Sequence, residues 1–109
     1  MSLEILKEAI KKRAPITFEY NKPGKTFGLR LGNPHVVYIM RRKDNSETTK
    51  VDIVQTGGVS DSEQEFPSFR MFDLAELSNV KIETENIPFE ISEQYKPESD
   101  RYKYVIAKV

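Results

Sequence analysis

The fold of this chain is best indicated by the run FRMFDLAEL, residues 69–77, which follows a long polar loop. One helical turn is predicted over residues 74–77, and the arginine of the run, Arg70, is the position with a functional prediction. The apolar residues predicted to enter the core are Phe72, Leu74 and Leu77. A short basic helix and several short strands precede the run, so the order predicts a small β-rich module.

A predicted amphipathic helix occupies residues 1–14. Its apolar residues recur at helical spacing and form one stripe, made of Leu3, Leu6, Ala9 and Ile10. Basic residues follow at the carboxyl end, where the helix dipole favours positive charge, and Pro15 ends the segment. So short a helix needs a surface on which to pack its stripe.

From residue 15 the hydrophobic period changes to two, which is typical of strands. Alternation predicts strands over residues 16–20, 27–31, 36–40, 51–55, 80–82 and 102–109. Gly32-Asn33-Pro34 is predicted to break the chain between two strands, and residues 56–68 are predicted to form a long loop. Short strands with frequent turn signals predict a small antiparallel barrel or sandwich.

A helix followed by about five strands is the order of an SH3-like or Sm-like barrel, a mainly β fold with one helix. The length of 109 residues suits one domain, residues 1–109. We expect the helix in residues 1–14, the barrel strands in 15–84, and a C-terminal extension with a terminal strand in 85–109.

Composition excludes several classes of protein. The chain has no cysteine, which excludes thiolate catalysis, disulfides and zinc–thiolate sites. No apolar run approaches the roughly 18 residues of a membrane span, and the N-terminus lacks the order of a signal peptide. We therefore expect a soluble, cytoplasmic protein with no membrane partner.

Charge is balanced overall but uneven along the chain. Residues 1–50 hold 11 Lys or Arg against 5 Asp or Glu, whereas residues 51–109 hold 6 against 12. This asymmetry predicts either a bipolar surface that binds an anion on one side, or two halves that neutralise each other in the fold.

The segments LKEAIKKR, residues 6–13, and ITFEY, residues 16–20, resemble the opening helix and strand of WYL domains. Arg30, Leu31 and Pro34 are similar to the arginine-to-proline step of that family.

Two later segments extend the resemblance, which covers residues 3 to 82. Residues 50–54 fall where the family has its Trp-Tyr-Leu strand, with Val51-Asp52-Ile53 in place of that triplet. The run at residues 69–77 falls where the family has its late arginine-bearing segment, with Asp73 in place of a second arginine.

WYL domains are Sm-like barrels that sense ligands, often nucleotides or single-stranded nucleic acid, and many lie behind a helix-turn-helix in bacterial regulators. The resemblance therefore implies a stand-alone sensor barrel whose readout needs a regulatory protein partner.

Arg70 is the first candidate for an anion contact, because a planar guanidinium can hold a phosphate through two hydrogen bonds. It follows a glycine-containing loop whose backbone N–H groups could serve the same anion. The alternative is a structural ion pair with Asp73 or Glu76.

Arg30, Arg41 and Arg42 are predicted to extend this site, with Tyr20 and Tyr38 as stacking platforms. Single-strand binding barrels combine such basic and aromatic positions. Arg30 alternates with Leu29 and Leu31, which predicts that it lies on the face opposite these leucines. The alternatives are solvated strand positions for the arginines and core packing for the tyrosines.

The residues give no catalytic set, metal site or cofactor site. His35 is the only histidine and is predicted to be a satisfied polar residue, and Gly57-Gly58 is predicted to be a turn. Asp61, Glu63 and Glu65 alternate in the loop but lack the ligand order of a calcium site.

The sequence therefore predicts a non-enzymatic ligand-binding domain for a nucleotide or short single-stranded nucleic acid. One alternative is a structural or oligomerisation domain that pairs sheet edges through its terminal strand, residues 102–109. A third hypothesis is a metal-dependent enzyme that uses the acidic loop.

Overall fold

The computed structural model describes residues 2–60, 65–83 and 88–109. Its elements are one helix, six strands and two short 3₁₀ turns within these ranges. In chain order they are α1 Ser2–Lys12, β1 Ile16–Tyr20, β2 Leu29–Arg41, β3 Glu47–Gly58, β4 Ser68–Asp73, a 3₁₀ turn Leu74–Glu76, β5 Leu77–Ile82, a second 3₁₀ turn Asp100–Tyr102, and β6 Tyr104–Lys108. The predicted N-terminal helix and mainly β fold are confirmed.

All six strands join one antiparallel sheet. The strand path runs β4-β3-β2-β1-β5, and β6 pairs with β2 beyond the end of β1. Among the described residues no ladder joins β4 to β5, so the sheet is not closed into a barrel by hydrogen bonds.

β2 is one continuous strand of 13 residues, and the predicted break at Gly32-Asn33-Pro34 is wrong. The strand instead bends there, because its register with β3 shifts after Leu31 and again after Pro34. Gly32 fits the bend, since a Cβ at this position would lie 2.5 Å from Ile53 Cγ2 and 2.9 Å from the carbonyl oxygen of Val54. A proline inside a sheet is tolerated at such an irregularity.

β3 is also longer than predicted, so the predicted loop at residues 56–68 is wrong at both ends. The strand continues to Gly58, where Gly57 pairs with Leu31 and Gly58 pairs with Arg30, and β4 already begins at Ser68. Gly57-Gly58 is therefore strand rather than turn. Six consecutive residues of β3, 50–55, are buried, so this central strand is covered on both faces.

The main core lies between α1 and the inner face of the sheet. The helix contributes its predicted stripe, and Phe72 and Leu77 enter the core as predicted, with Leu74 packed at its margin. The fully packed members are Leu6, Ala9, Ile10, Ile16, Phe18, Tyr20, Val37, Val51, Ile53, Phe72, Leu77 and Val80. Within the described ranges, neither the helix nor the 3₁₀ turns have the length and apolar character that a membrane crossing requires.

A second, smaller cluster covers the opposite side of β2. Val36 and Tyr38 pack there against Tyr95 of the C-terminal segment. The terminal strand is shorter than predicted, because residues 100–102 form a 3₁₀ turn before β6 begins at Tyr104.

Candidate ligand-binding site

Gln55 lies at the centre of a buried polar cluster near the carboxyl end of β3. Its Oε1 accepts hydrogen bonds from Nη1 of Arg30 and from Nη1 of Arg70, each at 3.3 Å. Its Nε2 donates to the carbonyl oxygens of Gly57 and Val59 at 3.0 and 2.7 Å. Two guanidinium groups from different strands therefore converge on one side-chain oxygen.

Arg30 reaches this point from β2 and is almost completely buried, with 1% exposure. Its Nη2 donates to the carbonyl oxygen of Thr26 at 2.9 Å. Its guanidinium carbon lies 5.7 and 5.6 Å from the ring centroids of Tyr20 and Phe72, within cation–π range.

As predicted, Arg30 lies on the face opposite Leu29 and Leu31. The alternative of a solvated Arg30 is wrong, because the face that carries Arg30 is the buried one. Leu29 and Leu31 point outward, with 54% and 39% exposure, and the arginine points into the sheet. Gly58 stands opposite Arg30 in the ladder, so the backbones approach closely where the large side chain turns inward.

Arg70 reaches Gln55 from β4 and is half-buried. Its Nε donates to Ser68 Oγ at 2.6 Å and its Nη1 to Ser60 Oγ at 2.8 Å. Its guanidinium carbon lies 5.3 Å from the ring centroid of Phe66. We call Arg30, Gln55, Ser60, Ser68 and Arg70 the arginine cluster.

The carboxylate of Asp73, predicted as a possible ion-pair partner of Arg70, binds two lysines. Lys22 and Lys50 both donate to it, one to each oxygen. Burial acts to raise the pKa of Asp73, but the hydrogen bonds from the two lysines outweigh it and hold the pKa below its usual range.

Tyr20 and Tyr38, predicted as stacking platforms, are both buried in the fold. The hydroxyl of Tyr20 accepts from the backbone N–H of Asp73 at 3.0 Å, and burial raises the pKa of Tyr20. The hydroxyl of Tyr38 donates to Oδ1 of Asp52 at 3.0 Å, and burial together with this carboxylate raises the pKa of Tyr38. The predicted alternative of core packing therefore describes both residues.

Arg41 and Arg42 do not join Arg30 and Arg70, because they lie at and just beyond the other end of β2. Arg30 and Arg41 are eleven positions apart on the strand, up to about 36 Å at the usual rise per residue. Arg41 donates through Nε and Nη2 to Oε2 of Glu47, at 3.1 and 2.6 Å, and its guanidinium lies 5.0 Å from the ring of Tyr104. The predicted basic residues thus lie at two separate places, with Arg30 and Arg70 at Gln55 and with Arg41 and Arg42 at the other end of β2.

A second polar cluster, built on Asp52, was not predicted as a site. Asp52 is fully buried, and its Oδ2 accepts from Tyr102 Oη at 2.7 Å and from Arg101 Nη1 at 3.3 Å. Burial raises the pKa of Asp52, although the hydrogen bonds from Tyr102, Tyr38 and Arg101 act in the opposite direction. The signal in the sequence was a single carboxylate inside the apolar run of β3.

His35 is a satisfied polar residue, and its geometry assigns its neutral tautomer. Nε2 accepts the backbone N–H of Ser92 at 2.9 Å, so the ring proton lies on Nδ1, which is 2.9 Å from the carbonyl oxygen of Asn33. The ring stacks on Phe89 at 5.1 Å. Burial lowers the pKa of His35.

The acidic residues Asp61 and Glu63 lie outside the described residues. Within the described ranges, no group of three or more histidine, aspartate or glutamate side chains is placed to hold a metal ion.

Comparison of the chain with protein-family models finds no match, and comparison with curated proteins finds none either.

Proposed function

We propose that the chain is a non-enzymatic ligand-binding domain that recognises a nucleotide or a short single-stranded nucleic acid at the arginine cluster. The observation that carries this proposal is the convergence of Arg30 and Arg70 on the oxygen of Gln55, with two serine hydroxyls beside them. Guanidinium groups match the geometry of phosphate oxygens, and hydroxyls supplement them as hydrogen-bond donors.

Accessibility favours Arg70 over Arg30 as the contact to the ligand. Arg70 is half-buried, whereas Arg30 is enclosed and acts by fixing Gln55 and the loop at Thr26. An incoming phosphate would bind to Arg70 and the hydroxyl of Ser60, while Gln55 holds the guanidinium in place.

Two aromatic rings beside the cluster, one exposed and one half-buried, support a ligand that carries a base. Phe27 is 64% exposed, and it follows Thr26, whose carbonyl oxygen is bound by Arg30. Phe66 lies against the guanidinium of Arg70. Stacking on such rings contributes about 1–3 kcal/mol per base in single-strand binding proteins. In this proposal Phe27 is the stacking platform, the role that was predicted for Tyr20 and Tyr38.

The strand path supports a wound sheet of the SH3-like or Sm-like kind, as the resemblance to WYL domains implies. β5 lies beside β1 and β4 lies beside β3, while only the 3₁₀ turn Leu74–Glu76 separates β4 from β5 along the chain. A WYL-like sensor of this kind would transmit the bound state to a regulatory protein partner.

Fluorescence anisotropy with a labelled ten-nucleotide single strand tests the proposal at low and moderate salt. We expect saturable binding that weakens steeply with salt, because phosphate contacts release counterions. Arg70→Ala should weaken binding at least about tenfold, in line with the loss of a charge-assisted hydrogen bond. The affinity of Arg70→Lys should lie between those of the parent protein and Arg70→Ala, since lysine keeps the charge and loses the planar guanidinium.

Lys43→Ala is the matched control, because this exposed cation lies in the turn at the far end of the β2–β3 hairpin. Circular dichroism would establish that each variant is folded at the temperature of the assay. Equal affinity of Arg70→Ala and Lys43→Ala, or no binding of either single strands or mononucleotides at low salt, would overturn the proposal.

The alternative function, oligomerisation through the terminal strand, is favoured by a different observation. Tyr104, Val105 and Ile106 of β6 are 46%, 39% and 37% exposed. Large apolar residues on an outer strand are typical of a surface that pairs with another chain.

A further inference from the structure

A cavity of about 350 Å³ lies between the carboxyl end of β2 and the segment that leads into β6. This volume is at the lower end of the range of small-molecule sites. Its walls come from Ile39, Met40, Arg41, Arg101, Lys103 and Tyr104, with Asp100 at the same rim. The cavity is separate from the arginine cluster, which lies at the other end of β2.

The wall combines cationic and apolar side chains. Three basic residues and one carboxylate, Asp100, are among the lining residues, while Glu47 and Asp52 outside the wall pair with Arg41 and Arg101. Ile39 and Met40, both half-buried, add apolar lining, and as consecutive residues of β2 they lie on opposite faces of the strand. Such a wall is complementary to an anion that carries a small apolar body.

Two of the three cations are already held in position. Arg101 donates from Nη1 to the fully buried Asp52, while 43% of its side chain remains exposed. Arg41 is fixed between Glu47 and the ring of Tyr104, through its Nε and Nη2 atoms and a cation–π contact. Groups that are ordered before binding lose little conformational entropy when a ligand arrives.

The third cation, Lys103, directly follows the 3₁₀ turn Asp100–Tyr102. It is exposed, and no ion pair or side-chain hydrogen bond of Lys103 is found within residues 2–60, 65–83 and 88–109. Its ammonium is therefore available to a ligand without breaking a contact in this part of the chain.

We infer that this cavity is a second binding site, for a small phosphate monoester whose apolar or aromatic body packs on the apolar part of the cavity wall. Arg101 and Lys103 would bind the phosphate group, and Arg41 would bind it through the Nη1 that Glu47 does not use.

Titration of the ¹⁵N-labelled protein with phenyl phosphate, followed by amide chemical shifts, tests the inference. We expect saturable shifts centred on residues 39–41 and 101–104, and weaker binding of both inorganic phosphate and benzyl alcohol. Lys103→Glu should weaken phenyl phosphate binding by roughly five- to tenfold, because an attraction is replaced by a repulsion at a partly exposed site.

Lys108→Glu is the matched control, since it makes the same charge change on β6 at an exposed residue outside the cavity wall. Its affinity should stay within about twofold of the parent protein. Three results would each overturn the inference: no saturable shift up to about 20 mM ligand, a concentration that would nearly saturate a site with a millimolar Kd, equal weakening by both variants, or shifts centred on residues 55–60 and 66–70.

Discussion

Several polar side chains lie inside the sheet, and each one links segments that are far apart in the sequence. Gln55 joins β2 to β4, Asp52 joins β3 to the C-terminal segment, and His35 joins β2 to Ser92. Buried polar groups cost free energy unless they are hydrogen-bonded, so these residues fix which segments can pack together.

His35 should make the free energy of unfolding depend on pH. Burial lowers its folded-state pKa, whereas the unfolded chain should titrate near the ordinary value of about 6.5. As the pH falls below about 6.5, the unfolded state takes up the proton first, so stability falls until the lower folded-state pKa is reached. Above pH 6.5 the contribution is constant.

Urea unfolding between pH 8 and pH 5 measures this effect, with His35→Gln as the control. The glutamine can still accept the backbone N–H of Ser92 but does not titrate. The loss of stability on acidification should be smaller in the variant. Because this chain has one histidine, its ring signal in proton NMR reports the folded-state pKa directly, and a value at or above 6.5 would contradict the prediction.

At the scale of single residues, the sequence predicted the apolar core better than the polar one. Phe72 and Leu77 are buried as their spacing indicated. Arg30 was predicted either in a ligand site or in solvent, and Tyr38 either as a stacking platform or in the core, because alternation in one strand does not show which face will be covered by other strands. Six consecutive residues of β3 are buried, so period-two patterning carries no information about exposure there.

At the scale of elements, the strands are longer and more bent than their apolar patterns suggested. The glycines at residues 32, 57 and 58 were treated as ends of strands, whereas all three lie within β2 or β3. A glycine signals close approach as well as a turn, and only the partner strand decides between the two. That partner could not be identified from local sequence.

Gly58 and Gly24 provide a matched test of this explanation. Both have positive φ, +89° and +82°, so alanine is strained at each by about 1 kcal/mol. A Cβ at Gly58 would also lie 2.2 Å from the carbonyl oxygen of Leu29, while nothing lies within 4 Å of one at Gly24.

We expect Gly58→Ala to lower the free energy of unfolding by about 3 kcal/mol or more, and Gly24→Ala by about 1 kcal/mol. Urea denaturation at one pH measures both values. Losses of the same size would mean that the contact between β2 and β3 at Gly58 is not tight.

At the scale of the whole molecule, the charge asymmetry of the sequence is partly neutralised in the fold. Lys22 and Lys50 belong to the basic half, and both bind Asp73 of the acidic half. The remaining candidate cations are separated by β2 into the arginine cluster at one end and the cavity beside Arg41 at the other. That separation could not be predicted from the sequence, because two short strands were expected where one long strand exists.

The oligomerisation alternative makes a prediction at this scale. If β6 pairs two copies, the apparent mass in light scattering should rise above 12.6 kDa with concentration. Ile106→Lys should then restore the monomer mass, because a lysine on an outer strand opposes pairing. A mass of 12.6 kDa at every concentration would exclude this function.

The antiparallel pairing of β1 with β5 has a consequence for the order in which the sheet assembles. Ile16 pairs with Ile82, across 66 positions of the chain, whereas β2 and β3 meet through a short hairpin. Closing so long a loop costs more entropy than closing a hairpin, and such non-local contacts slow folding. During synthesis, β1 can therefore pair only with β2 at first, and its full pairing with β5 forms after residue 82 has left the ribosome.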